Sequence, residues 1–136
     1  MSCWRRYSCD VLKNVDKDLL HEACKELGFN YDESIKEVSN AWGEDKVDAG
    51  FIRDGKELPL GFIFEKNPDP FNNKVSVTVA GDFWSTGFNE ATFVDTLSQI
   101  YQKHNVITQL EANGFIVNSI ETNAEDEIEI EAYAYA

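Results

Sequence analysis

Val75-Ser76-Val77-Thr78-Val79-Ala80 runs without a break into Gly81-Asp82-Phe83-Trp84-Ser85-Thr86-Gly87, and the reading of this stretch decides the fold. Valine at every second position is the period-2 signature of a half-buried strand. Continued beyond Ala80, the alternation sends Phe83 inward with Val75 and Val77 and turns Asp82 and Trp84 to the opposite face, with the flanking glycines acting as turn residues. An aromatic on the face away from the core needs a reason to be there, which makes Trp84 a candidate contact residue.

Upstream of this strand lie Val47 to Ile52 and Leu58 to Phe64, joined by Arg53-Asp54-Gly55-Lys56. Asp-Gly marks a hairpin because both residues tolerate positive φ. The prolines of Asn67-Pro68-Asp69-Pro70 exclude regular pairing and place a loop before Val75. The three strands form a meander. Downstream, Asn89 is expected to cap a helix with Glu90 in its first turn. Phe93, Leu97, Ile100, Tyr101, His104, Ile107 and Leu110 continue it to Asn113-Gly114, either unbroken or with a break near Asn105.

At the N-terminus, Trp4 to Leu12 alternates as a strand. Asp16 then caps a helix carrying Leu19, Leu20, Ala23, Cys24 and Leu27, closed by Gly28. Residues 30–46 stay open between strand and loop. Phe115 to Ile120 and Ile128 to Tyr135 form a terminal hairpin around the acidic turn Asn123 to Asp126. The order β-α-(β)-β-β-β-α-β-β predicts one α+β domain over residues 1–136: a mostly antiparallel sheet of five to seven strands with two helices packed on it. Leu20 to Ser34 and Ile107 to Ser119 also echo each other, each a helix end followed by Gly-Phe and an extended segment. Shared capping physics and internal duplication both account for that echo.

The chain has 136 residues, 43% hydrophobic and 12% aromatic, enough for a core without metal or disulfide staples. Apolar runs are too short to span a bilayer, and no apolar region follows the basic N-terminus as in a signal peptide, so a soluble intracellular protein is expected. The net charge is −13, and no Lys or Arg follows Lys103, whereas Glu111, Glu121, Glu125, Asp126, Glu127, Glu129 and Glu131 do. Such a field repels phosphates, which argues against direct nucleic-acid binding and favours a partner with a basic surface. Solvation alone also explains an acidic surface.

Among candidate sites, Trp4, Arg5, Arg6 and Tyr7 form a basic and aromatic cluster of the composition found at protein–protein hot spots. The alternative is an edge strand whose arginines pair with the acidic hairpin. Cys3, Cys9, His21 and Cys24 lack the tight pairing of a structural zinc site, and no metal or other cofactor is expected. Pairing of Cys24 with His21 or His104 has no flanking motif to support it, and His104 reads as a packing residue. The carboxylates of Glu125 to Glu131 fall on one strand face and Ile128 and Ile130 on the other; paired acids could bind a divalent cation, but all-acidic strand faces are more often solvated, and such charge also guards against edge pairing.

Asp18-Leu19-Leu20 through Leu27-Gly28-Phe29, Gly61-Phe62, Gly81-Asp82-Phe83-Trp84, Phe93-Val94-Asp95-Thr96-Leu97-Ser98-Gln99-Ile100-Tyr101 and Gly114-Phe115-Ile116-Val117 occur in an order and spacing that span most of the chain. In these the chain resembles the family of hypothetical reading frame thirty-five of chloroplast and cyanobacterial genomes, also met in bacteria and phages as a domain of unknown function. The family's tyrosine-then-histidine pattern corresponds to Tyr101 and His104. Departures are Cys3-Trp4-Arg5-Arg6, where the family is richer in hydroxyls, and a longer loop from Asn67 to Asn73. The resemblance implies a fold and a binding or accessory role and supplies no active site.

The sequence therefore supports a small acidic, non-enzymatic binding protein with Trp4, Arg5, Arg6, Trp84, Glu127, Glu129 and Glu131 as contact residues and a basic protein surface as partner, with self-association left open. A phage form would occupy the nucleic-acid groove of a host-defence complex. The expected location is the cytoplasm, the plastid stroma in an alga, or the host cytoplasm for a virus. The competing reading is a small-ligand or nucleotide binder with Asp82, Trp84 and Arg6 around a pocket near Trp84.

Overall fold

The computed structural model describes residues 4–8, 12–40, 43–83, 86–89, 91–122 and 128–134. Among these, strands β1 (Trp4–Ser8), β2 (Asn30–Asp32), β3 (Glu37–Asn40), β4 (Gly43–Lys46), β5 (Ala49–Arg53), β6 (Lys56–Lys66), β7 (Val75–Asp82), β8 (Phe115–Thr122) and β9 (Ile128–Ala134) accompany helices α1 (Lys17–Glu26) and α2 (Phe93–Ala112). The α+β class is as the periodicity predicts. The strands divide into three sheets: a five-stranded antiparallel sheet of order β1-β7-β6-β5-β2, and the two-stranded ribbons β3-β4 and β8-β9. The main sheet has five strands, within the range that the sequence predicts, and the acidic terminal hairpin stands as a sheet of its own.

The meander forms at the expected places. Arg53 pairs with Lys56, and Asp54 (φ 54°) and Gly55 (φ 76°) make the tight turn between them. The valines of β7 face the helices, where Val79, Phe62, Phe51, Leu60, Leu20 and Leu97 make a dry core. Aromatic rings hold its centre: Phe29, Phe88 and Phe83 each contact Phe93, the first residue of α2. Phe83 is in the core, as alternation from Val79 requires.

The reverse face of the sheet is also covered. Val38 and Val47 pack with Ala80 and Ile63 there, so residues 30–46 supply three strands, β2 in the main sheet and the β3-β4 ribbon, whose Val38 helps cover that face. The polar composition of β4 obscured this in the sequence.

Helix α1 starts as predicted. The Asp16 carboxylate accepts hydrogen bonds from the Asp18 and Leu19 N–H groups at 2.9 and 3.4 Å, and Gly28 takes φ 87° after the last turn. Helix α2 departs from the reading at its start. Asn89 does not cap it: its side chain accepts from Ala91 N–H and its carbonyl from Thr92 N–H, closing a separate turn, and Thr92 occupies the cap position without a side-chain bond. Glu90 lies outside the described residues. Near Asn105 the helix is unbroken, and its buried residues, Phe93, Leu97, Ser98 and Tyr101, all lie in its first half.

Candidate functional site

The terminal ribbon carries the protein's acidic side. In β9, Ile130 and Ala132 are half-buried while Glu129, Glu131 and Tyr133 are exposed, Tyr133 by 52%. Strand alternation thereby puts both glutamates and the tyrosine on the outer face. The β8 register adds Glu121, the direct partner of Glu129, to that face. Asn118 Nδ2 and the Ser119 hydroxyl approach Glu131 at 3.4 and 3.5 Å, at the long limit of hydrogen bonding. Glu127 lies outside the described residues. The predicted glutamates that the structure describes do share one surface.

Beneath this face α2 packs against both strands of the ribbon. A groove of about 610 Å³ opens between them, lined by Asp95, Ser98, Gln99, Gln102, Lys103, Val106 and Ile130. Its floor follows one helical stripe, with spacings of three and four residues. Lys103, the last cation of the chain, is turned to Glu26 of α1, which it meets at 2.6 Å. His104 Nε2 stands 2.7 Å from the same carboxylate, without a well-formed hydrogen bond. Burial acts to raise the Glu26 carboxyl, but the hydrogen bond and charge of Lys103, aided by His104, outweigh it and hold the group below its usual range. With Lys103 so engaged, Asp95 is the carboxylate in a lining otherwise of amides, a hydroxyl and aliphatic side chains.

The other predicted contact residues lie in a different sheet. Trp4, Arg5 and Arg6 belong to β1, an edge strand, opposite Asp82, Gly81 and Ala80 of β7. Trp4 to Arg6 and Asp82 are therefore brought together. Asp82 is only 5% exposed, so its carboxylate is not presented to solvent. Trp84 lies outside the described residues. Gly81 is not the turn residue of the sequence reading. It sits inside β7 at φ 127°, where a Cβ would lie 2.2 Å from the Pro59 carbonyl oxygen.

Cys24 is fully buried, and burial pushes its thiol well above the ordinary range, which keeps it protonated and poorly nucleophilic. The ring of His21 stacks on Tyr31 at 3.7 Å, and its Nδ1 is 2.6 Å from Asn30 Oδ1, so neither residue is arranged as a pair with the other. Cys3 and Cys9 lie outside the described residues. Among the described residues no group of three or more His, Cys, Asp or Glu could hold a metal ion, and no helix is long and apolar enough to cross a membrane.

Two features escaped sequence reasoning. The groove residues Val106 and Ile130 are one; Val106 falls outside the core-facing spacing of α2 and so could have been noticed. The other is Phe71, 95% exposed on the loop after Pro70. That loop is braced by Asn67 and Asp69 side chains accepting from the N–H groups two residues onward, at 2.9 and 3.0 Å. The signal was a large aromatic directly after a Pro-Asp-Pro turn.

A family model described as a protein of unknown function (DUF1257) matches residues 23–130. No curated protein and no solved structure matches the chain.

Proposed function

The chain belongs to the DUF1257 family of proteins of unknown function, and from that premise we propose that it is a non-enzymatic binding protein whose acidic terminal ribbon engages a basic protein surface. The observation that carries this reading is the alignment of Glu121, Glu129 and Glu131 on one exposed ribbon face, in a part of the chain that has no cation after Lys103. A one-signed exposed face raises the encounter rate with an oppositely charged partner and repels nucleic acid. In a phage, that partner would be a nucleic-acid-binding surface of a defence complex, and the setting the host cytoplasm; in an alga or bacterium, the plastid stroma or cytoplasm. Trp4, Arg5 and Arg6 on edge strand β1, with Trp84, would supply a second contact region.

The test is affinity purification from the native host at low and moderate salt. A stoichiometric basic partner that elutes with salt, and whose binding weakens when Glu129 and Glu131 are changed to Gln, supports the reading. Partner affinity indifferent to both substitutions and to salt overturns it.

A second reading draws on the pairing of Trp4 with Asp82, which gathers aromatic and charged residues at one end of β7. It makes that end a nucleotide or small-ligand site with Arg6 and Trp84. Saturable quenching of tryptophan fluorescence by a nucleotide panel, lost in Trp84→Phe, would establish it.

A further inference from the structure

We infer that the β9 edge is a docking site for one extended basic segment of a partner protein, added as a third strand to the β8-β9 ribbon with alternate side chains entering the groove over α2. This rests on the acidic-face reading and specifies how the partner is held. Among the described residues β9 pairs with β8 alone, so its second edge has no strand beside it there.

Dimensions favour this occupant. Strands pair about 4.8 Å apart, whereas a helix with its side chains is about 10 Å across. The groove is lined by one stripe of α2 and by Ile130 of β9, and Val106 is exposed in it. A strand beside β9 would cover it. Its downward side chains would meet Val106, Ile130 and the aliphatic parts of Gln99 and Gln102, while its upward ones would stand beside Glu129 and Glu131. The surface therefore selects a segment that alternates apolar residues with Lys or Arg. A second copy of the chain is the wrong occupant, because pairing β9 with β9 would bring two rows of glutamates together.

The probe is a labelled heptapeptide, Lys-Val-Lys-Val-Lys-Val-Lys, titrated by fluorescence anisotropy against the full chain. Two isomers, N-methylated at odd or at even residues, are titrated beside it. Strand addition uses the amides on one side only, so one isomer should bind about tenfold or more weakly and the other nearly as well as the parent. Val106→Lys, a surface change, should weaken the parent similarly. If both isomers bind like the parent while Glu129→Gln with Glu131→Gln weakens all three, strand addition is overturned and the acidic-face reading stands. Methylation-selective binding indifferent to those glutamates upholds strand addition and removes the electrostatic reading. Binding of none of the peptides, or a concentration-dependent dimer abolished by Val106→Lys, overturns the proposal.

Discussion

Glu121 and Glu129 stand directly opposite each other across the terminal ribbon, two like charges on an exposed face. Cross-strand repulsion of this kind weakens pairing, and an opposite-charge pair at the same register strengthens it by roughly 0.2–1 kcal/mol. Glu121→Lys is therefore expected to slow amide hydrogen exchange in β8 and β9 while reducing affinity for a basic partner. Slower exchange together with unchanged affinity would show that the like-charge pair is tolerated for a reason other than binding.

Tyr101 joins the two helices at their most sensitive point. The N–H of Asp16, the cap residue of α1, donates to the Tyr101 hydroxyl at 2.9 Å, and the ring lies in the core. Tyr101→Phe keeps the ring and removes the acceptor, at a cost of about 1 kcal/mol. Urea denaturation should show a lower midpoint with an unchanged slope. Leu97→Ala, which empties core volume nearby, should cost more, about 2–5 kcal/mol.

Glu26 gives the stability an acid limb. Its carboxyl is held below its usual value in the folded protein, so the contribution is complete above the unfolded value, near 4.5, and is lost as pH falls through the folded value. Below both values it is gone. Because the side chain is 37% exposed, solvent screening keeps the effect small. Urea midpoints of the wild type and Glu26→Gln should differ at neutral pH and converge in acid. A constant difference across that range would mean that the carboxylate's charge is not what joins α1 to α2.

Local chemistry made most of the fold legible. Alternation in Val75 to Ala80 gave β7, Asp54-Gly55 gave the hairpin between β5 and β6, and Asp16 and Gly28 bounded α1, because in each case neighbouring residues suffice to set the backbone. What escaped depends on distant partners. Val38 and Val47 look unremarkable until Ala80 arrives beneath them from the sheet. Asn89 has the right chemistry for a cap, and only the seating of Phe93 in the core moves the helix start beyond it. Of the candidate site, the glutamate alternation could be read directly, whereas the groove could not, since it forms between Ile130 of β9 and a helix some thirty residues earlier in the chain.

Phe71 separates exposure from packing. It is 95% exposed on a loop whose turns are closed by Asn67 and Asp69. Phe71→Ser removes no core contact and should change stability by no more than about 0.5 kcal/mol. Asp69→Ala removes a brace and should raise protease sensitivity between Lys66 and Lys74. A large loss of stability in Phe71→Ser would place the ring against the body of the protein.

Gly81 is the sharpest test of the stretch that decides the fold. Within β7 it pairs with Arg5 on one side and Leu60 on the other, at φ 127°, and a Cβ there would meet the Pro59 carbonyl oxygen at 2.2 Å and Leu60 Cα at 3.0 Å. Both obstacles are backbone and cannot rotate away as a side chain could. Gly81→Ala must either force β6 from β7 at their closest approach or abandon a backbone angle that leads directly to Phe83 in the core. Left-handed strain and the collision act together, so a loss of at least about 2 kcal/mol is expected, well beyond an ordinary strand substitution. The control is Gly55→Ala, also at positive φ but with nothing within 4 Å of the added carbon, which should lose only the strain component. Equal midpoints for the two variants in urea would show that backbone conformation alone, and not the contact with Pro59, requires glycine at position 81.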